Sequence, residues 1–307
     1  MLMWDFMITG SNGLLGGFLI PHLRERGYRV LATGRGPCRL PAAWFDDRVV
    51  YHSLDLTDGR AVWDFVGRHR PVRIIHAAAI TQADDCERDP IGCWSVNVTA
   101  TRFLLHAASA AGAAFTYVST DFVFDGESGP YLESDLPGPV NFYGSSKLAA
   151  ERAVAASGLA WSIVRTVLVY GRSDHQARSN IMTWVRDNLA AGRPISVVDD
   201  QVRTPTWAGD LARGTLLVAE SNAGGIWHIS GADALTPYEM AVRTARFLGM
   251  DDSLMTRVTA DSFTQPARRP LRTGFIIDKA RRELGYQPVS FEEGLRLTLG
   301  DRSTGGQ

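Results

Sequence analysis

Phe6-Met-Ile-Thr9 runs directly into Gly10-Ser-Asn-Gly13-Leu-Leu-Gly16. The first four residues carry no charge and read as a short buried strand. The apolar spacing after Gly13 continues to about Arg26 and predicts a helix. Glycines between a strand and a helix let the backbone come close to a pyrophosphate, and the helix N-terminus favours its charge. The spacing is GxxGxxG rather than GxGxxG, but three glycines still occupy the turn. Loops are often glycine-rich, so the strand–turn–helix context gives the triplet its meaning. It predicts a dinucleotide-binding turn made of Gly10, Ser11, Asn12, Gly13, Leu14, Leu15 and Gly16.

The next segments extend this pattern. Arg29 to Thr33 reads as a second strand ending in Gly34-Arg35. A carboxylate at that end would bind a ribose 2′-hydroxyl and favour NAD; an Arg with no acid suits a 2′-phosphate. NADP(H) is therefore the preferred cofactor, with NAD(H) as the alternative. A solvated loop Arg explains Arg35 equally well. Val49 to Leu56 reads as the third strand, containing Asp55, with a helix to about His69. Arg73 to His76 is the fourth strand, followed by Ala77, Ala78 and Ala79, small enough for a cofactor to approach or simply for tight packing. A long helix from about Cys93 to Ala111 carries Asn97, and Phe115 to Thr120 is the fifth strand. This alternation predicts an α/β, Rossmann-like, doubly wound parallel sheet with right-handed crossovers.

The second half reads as a helix near Ile181 to Ala191, a strand Ile195 to Val198, a helix from Asp210, and a strand Ile226 to Ile229 returning to the main sheet. The expected division is 1–172 as the dinucleotide-binding domain, with returning segments near 206–230, and 173–307 mainly as a smaller α/β substrate-binding lobe. The site should lie between them, beyond the carboxyl ends of the strands. The tail 301–307 reads as disordered.

With 307 residues and a formal net charge of −1, the chain can bury a sizeable core and has no basic block for nucleic acid. No apolar run approaches the ~20 residues of a membrane span. Cys38, Cys86 and Cys93 show no metal spacing and fit reduced thiols in a cytoplasm. No acidic or His cluster specifies a metal.

Tyr143-Gly-Ser-Ser-Lys147 carries the chemistry. On a helix, Tyr143 and Lys147 stand one turn apart on the same face. A nearby ammonium would move the phenol down from its usual ~10 toward a working range. The plain alternative is a surface pair. However, the chain has 30 Arg and only two Lys, Lys147 and Lys279. A Lys kept here suggests a need for a compact, tunable ammonium.

Together with Ser119-Thr-Asp-Phe-Val-Phe-Asp-Gly126, these residues resemble the extended short-chain dehydrogenase/reductases, specifically the dTDP-4-dehydrorhamnose reductase family. Further blocks in the family's order are Arg165 to Gly171, Asp200 to Thr206 with Asp210-Leu-Ala, Gly225 to Gly231, and Arg268 to Leu271. The resemblance implies that Thr120 bonds the reacting carbonyl, Tyr143 delivers the proton, and Lys147 holds the nicotinamide ribose. It implies that Gly10, Gly13 and Gly16 line the pyrophosphate, Asp55 and Leu56 the adenine, and Ala77 to Ala79 the ribose side, with Asn97 near the cofactor. Asp55 could equally cap the next helix, and Asn97 could serve helix hydrogen bonding. Thr81, Asp121, Arg203 and Arg269 are expected on the substrate side, the two arginines at its diphosphate.

Two departures bear on the substrate. Leu168 stands where rhamnose-forming members often carry a Trp that can stack on a sugar. Phe122 stands where a dehydratase of the superfamily would carry a Glu, so water elimination would lack its acid. The implied activity is NADPH-dependent reduction of a nucleotide-linked 4-keto sugar by a cytoplasmic protein, with a homodimer as one arrangement. The alternatives are an epimerase or reductase of another nucleotide sugar, or a non-catalytic NADP-binding regulatory subunit resembling the methionine adenosyltransferase β subunit.

Overall fold

The computed structural model describes residues 3–172, 180–221 and 223–300; the expected disordered tail, 301–307, lies outside them, as does the start of the expected second lobe, 173–179. The large α/β body begins with β1 (Phe6–Thr9), α1 (Leu14–Glu25), β2 (Val30–Gly34), β3 (Val49–Ser53), α2 (Gly59–His69) and β4 (Arg73–His76). Two short helices, α3 (Ala83–Arg88) and α4 (Pro90–Trp94), lead through a π turn at Ser95–Thr99 into α5 (Ala100–Ala111). Then come β5 (Ala114–Thr120), α6 (Phe142–Ala155), β6 (Trp161–Thr166) and β7 (Val169–Tyr170). The remainder is α7 (Ile181–Ala190), β8 (Ile195–Val198), β9 (Thr206–Trp207), α8 (Ala208–Ser221), β10 (Gly225–His228), α9 (Pro237–Phe247), β11 (Met255–Val258), α10 (Asp278–Leu284) and α11 (Phe291–Leu299).

Seven strands form one sheet in the order β10-β6-β5-β4-β1-β2-β3. Every pairing in it is parallel. Strands covered on both faces should be apolar nearly throughout, which is why Phe6-Met-Ile-Thr9 reads as it does. Met7, Leu31, Ile74 and Phe115 point to one face and pack under α2, α5 and α6 through Val62, Val66, Leu104, Ala150 and Val154. Phe6, Ile8, Val30, Ala32 and Ile75 point to the other, where Leu19, Ile20 and Leu23 of α1 meet Ala212 and Leu216 of α8. The strand order reverses between β1 and β4. Such a switch point opens a crevice at the carboxyl ends of the strands.

Two expected elements differ. The third strand ends at Ser53, not Leu56: Leu54 donates its N–H to the Gly34 carbonyl and turns inward. The long helix expected from Cys93 to Ala111 starts earlier, at Pro90, and contains the π turn that carries Asn97.

The smaller sheets pair β8 with β11 and β7 with β9. Val185, Leu189, Ile195, Val197, Ala241, Ala245 and Met255 form the core beneath α7 and α9.

Candidate active site

The turn after β1 is shaped by close approach. Gly10 has φ +71°, and a Cβ there would stand 2.8 Å from the Ala78 nitrogen; at Gly16 it would stand 2.3 Å from the Ser11 carbonyl oxygen. The first contact brings the β1 turn against Ala77 and Ala78, which follow β4. Gly13 caps α1 without a side chain, and no acid occupies the first turn, so the helix N-terminus keeps its positive character. Ser11 is structural: its Oγ donates to the Ile8 carbonyl and accepts from the Thr33 N–H. Asn12 latches the loop leaving β2. Its Nδ2 donates to the Pro37 carbonyl and the Tyr51 hydroxyl, and its Oδ1 accepts from the Arg39 N–H.

Arg35 is exposed at the end of β2, and its charge helps hold the exposed Asp55 carboxyl below its usual range. The larger cause is bonding of that carboxylate to the Thr57 N–H and hydroxyl. Asp55 does not cap α2; Asp58 does. Leu56 is half-buried against the core.

Thr120, Tyr143 and Lys147 converge at the end of β5. Asn141 caps α6 by accepting from the Gly144 N–H, which fixes the first turn of the helix carrying Tyr143. The Tyr143 ring meets Phe122 edge-on, with centroids 5.7 Å apart. Burial pushes its phenol above the usual range, opposed by a hydrogen bond with Thr120. Thr120 Oγ1 donates to Asp121 Oδ1 and accepts from the Phe122 N–H. The expected depression of the phenol by Lys147 is absent. The ammonium instead donates to the Val118 carbonyl at 2.7 Å and lies 4.1 Å from the Tyr117 ring centroid. Burial draws Lys147 down to about 7, against the charge of Glu151. A dry phenol that holds its proton is suited to donate it once negative charge develops nearby.

Asn97 ties this helix to the loop after β4. Its Oδ1 accepts from the Ile80 N–H, while Nδ2 donates to the Ile80 carbonyl and to Ser146 Oγ. Those bonds are made from the π turn, a helix defect often found at functional sites.

The expected substrate residues divide. Thr81 is exposed beside the start of α3. Asp121, 3% exposed, is an internal bolt: it accepts from Thr273 Oγ1 and lies 3.8 Å from Arg203 Nε. Burial raises its carboxyl, against the Arg203 charge. Arg203 is not an open diphosphate anchor. It is 4% exposed and donates to the carbonyls of Val202, Pro270 and Leu271 and to Gln201 Oε1. Arg269 also spends its fork within the protein, on both oxygens of Asp84 and on the Ala267 carbonyl. It nevertheless borders a groove of about 290 Å³ lined by Trp184, Val197, Gln201, Phe263 and Gln265.

Sequence reasoning missed the Tyr117 seat for Lys147 and the buried pair of Glu151 and Arg165. Arg165 donates through Nε and Nη2 to both carboxylate oxygens, at 3.0 and 2.7 Å. An arginine inside the apolar run Ile163-Val-Arg-Thr166 was the available signal for a buried partner.

A family model described as the RmlD substrate binding domain matches residues 4–303. A dTDP-4-dehydrorhamnose reductase of Streptomyces griseus is 34% identical over 92% of this chain and 89% of its own length. A methionine adenosyltransferase 2 subunit beta from Xenopus tropicalis is 31% identical over 95% of this chain and 86% of its own. The crystal structure of dTDP-4-dehydrorhamnose reductase from Bacillus anthracis in complex with NADP superposes with a TM-score of 0.81 at 29% identity, covering 96% of this chain and 98% of that one. The glycine turn at the sheet's switch point, the Thr120–Tyr143–Lys147 cluster and these matches together place the chain in the RmlD substrate-binding domain family, among the homologues of dTDP-4-dehydrorhamnose reductase.

Proposed function

We propose that this protein is an NADPH-dependent reductase of a nucleotide-linked 4-keto sugar. The observation that carries the reading is the convergence of Thr120, a protonated Tyr143 and a buried Lys147 at the carboxyl end of β5. The β1 turn fits a dinucleotide: two glycines stand where a Cβ would collide with backbone, and the α1 terminus has no capping side chain. When bound, the cofactor supplies hydride to the ketone carbon. Thr120 orients the ketone oxygen, and Tyr143 gives it a proton as negative charge builds there. Lys147, aimed by Val118 and Tyr117, holds the ribose hydroxyls. Phe122 packs edge-on against Tyr143 and supplies no acid for elimination, which favours reduction over dehydration. The groove bordered by Trp184, Phe263, Gln201 and Gln265 offers aromatic surface and amide groups to a nucleobase.

The direct test is NADPH oxidation with a panel of nucleotide 4-keto sugars. Turnover with at least one supports the proposal. No turnover with any of them, alongside stoichiometric capture of a protein partner, would favour a binding subunit like the methionine adenosyltransferase relative.

Cofactor choice gives a second measurement. Arg35 can pair with a 2′-phosphate, and a charge-assisted bond is worth roughly 1.5–3 kcal/mol. Arg35→Ala is expected to weaken NADPH binding about 10- to 100-fold and leave NADH nearly unchanged. Equal loss for both cofactors would remove Arg35 from the 2′-phosphate site.

Lys147 makes binding sensitive to pH. With its folded value drawn down to about 7 by burial, Lys147 is mostly neutral in the free protein at pH 8. Ribose hydroxyls and the cofactor's charge favour the ammonium, so the bound state binds more protons than the free state. Cofactor binding at pH 8 should therefore take up a proton, and affinity should fall as pH rises above 7. Calorimetry in buffers of different ionisation enthalpy measures the uptake; none at pH 8 would contradict this role for Lys147.

A further inference from the structure

Behind Tyr143 lies a group that the proposed reduction does not use. Cys86 on α3 and Cys93 on α4 are both fully buried, and Cys93 Sγ lies 2.7 Å from Cys86 Sγ. The chain folds back between them at Asp89-Pro90: Asp89 ends α3 and caps α4 by accepting from the Gly92 N–H, and Pro90 occupies the first turn. With Ala83 and Ala267 the two thiols form the apolar cluster that packs against Tyr143. Cys93 also touches Asn97 Nδ2 at 3.4 Å and Ser146 Oγ at 3.5 Å. The third cysteine, Cys38, is exposed on the β2 loop.

We infer that Cys86 and Cys93 are an oxidisable pair that closes to an intramolecular disulfide under a peroxide. Two sulfurs this close need only small side-chain movement to bond. The polarity of the pair is set by its surroundings. Contact with the Cys86 thiol and the Ser146 hydroxyl and the charge of Lys147 draw the Cys93 thiol down, which makes it the nucleophile, while its neighbour and burial push Cys86 up. Cys93 thiolate attacks one peroxide oxygen, the O–O bond breaks, and hydroxide leaves with a proton as water. Cys86 sulfur then attacks the sulfenic sulfur of Cys93; the S–O bond breaks, and the departing hydroxide takes the Cys86 proton as a second water. Two thiols lose two electrons in total, and one peroxide becomes two waters. Peroxide reaches the pair when α3 or α4, helices of six and five residues, opens locally.

The test is to treat folded protein with hydrogen peroxide, quench, denature, alkylate and map peptides by mass spectrometry. The expected change is from three alkylated cysteines to one, Cys38, with a Cys86–Cys93 cross-linked peptide lighter by two hydrogens and restored by dithiothreitol. Cys38→Ser, at an exposed position, should fall from two alkylated cysteines to none. Cys86→Ser removes the resolving thiol, so Cys93 should advance to the sulfinic acid, two oxygens heavier, with no cross-link. Full alkylation of Cys86 and Cys93 after peroxide would overturn the inference, as would cross-links confined to Cys38 or to pairs of chains. The thiol count does not depend on the reductase reading, so the two can fail separately.

Discussion

Tyr143→Phe is expected to lose about 10²–10⁴-fold in turnover with a verified keto-sugar substrate, the usual cost of removing a general acid. Cofactor affinity and thermal unfolding should stay near those of the parent. The ring that packs on Phe122 and the Cys86–Cys93 cluster is retained, and only the phenolic oxygen goes. Burial keeps the proton on that oxygen through neutral pH. Loss should fall on kcat and on kcat/KM alike, because the missing contact forms only as the alkoxide develops. Near-parent reduction by Tyr143→Phe would end the catalytic assignment and leave a binding role as the better reading.

The second large effect is on stability. Arg165→Ala is expected to destabilise the fold by about 3–5 kcal/mol, measured by urea unfolding. Both side chains of the Glu151–Arg165 pair are nearly inaccessible, at 4% and 2%. Removing the guanidinium leaves the Glu151 carboxylate buried between α6 and β6 without its two hydrogen-bond donors, and also removes the contact over the Phe124 ring. Replacing both partners by apolar residues of similar volume, Glu151→Leu with Arg165→Met, should recover much of the loss, since no charge is then stranded. A single Arg165→Ala within 1 kcal/mol of the parent would show that water reaches the site.

Much of the fold was legible because its strands are short apolar runs closed by punctuation. Phe6–Thr9 ends at a glycine, and Arg73–His76 and Ile195–Val198 have the expected bounds. The third strand was overextended because Leu54 and Leu56 keep the alternation of a strand while packing from a loop. Periodicity also hid the π turn, since one inserted residue barely disturbs a helical pattern. Within the site, the spacing of Tyr143 and Lys147 revealed a shared helix face, but not where the ammonium would point. Arg203 and Arg269 were visible as cations, whereas their acceptors are largely backbone carbonyls and a distant Asp84, which no local pattern announces. Cys86 and Cys93 are seven positions apart, about 10 Å along one continuous helix. Only the break at Asp89-Pro90 brings them together.

The chain crosses more than once between the large sheet and the smaller ones. After supplying β7 and β8, the chain returns to give the large sheet a covering helix, α8, and an edge strand, β10. Later, Phe275 and Ile277 pack with Phe124 and Tyr131, while Arg203 fastens the carbonyls of Pro270 and Leu271. Recombination that exchanged everything after Tyr170 would strip the large sheet of its β10 edge and uncover the apolar face under α1. No single cut in the chain therefore separates the large sheet from the later segments. Side chains that border the groove, such as Trp184 and Gln265, can by contrast change without cutting the interwoven frame.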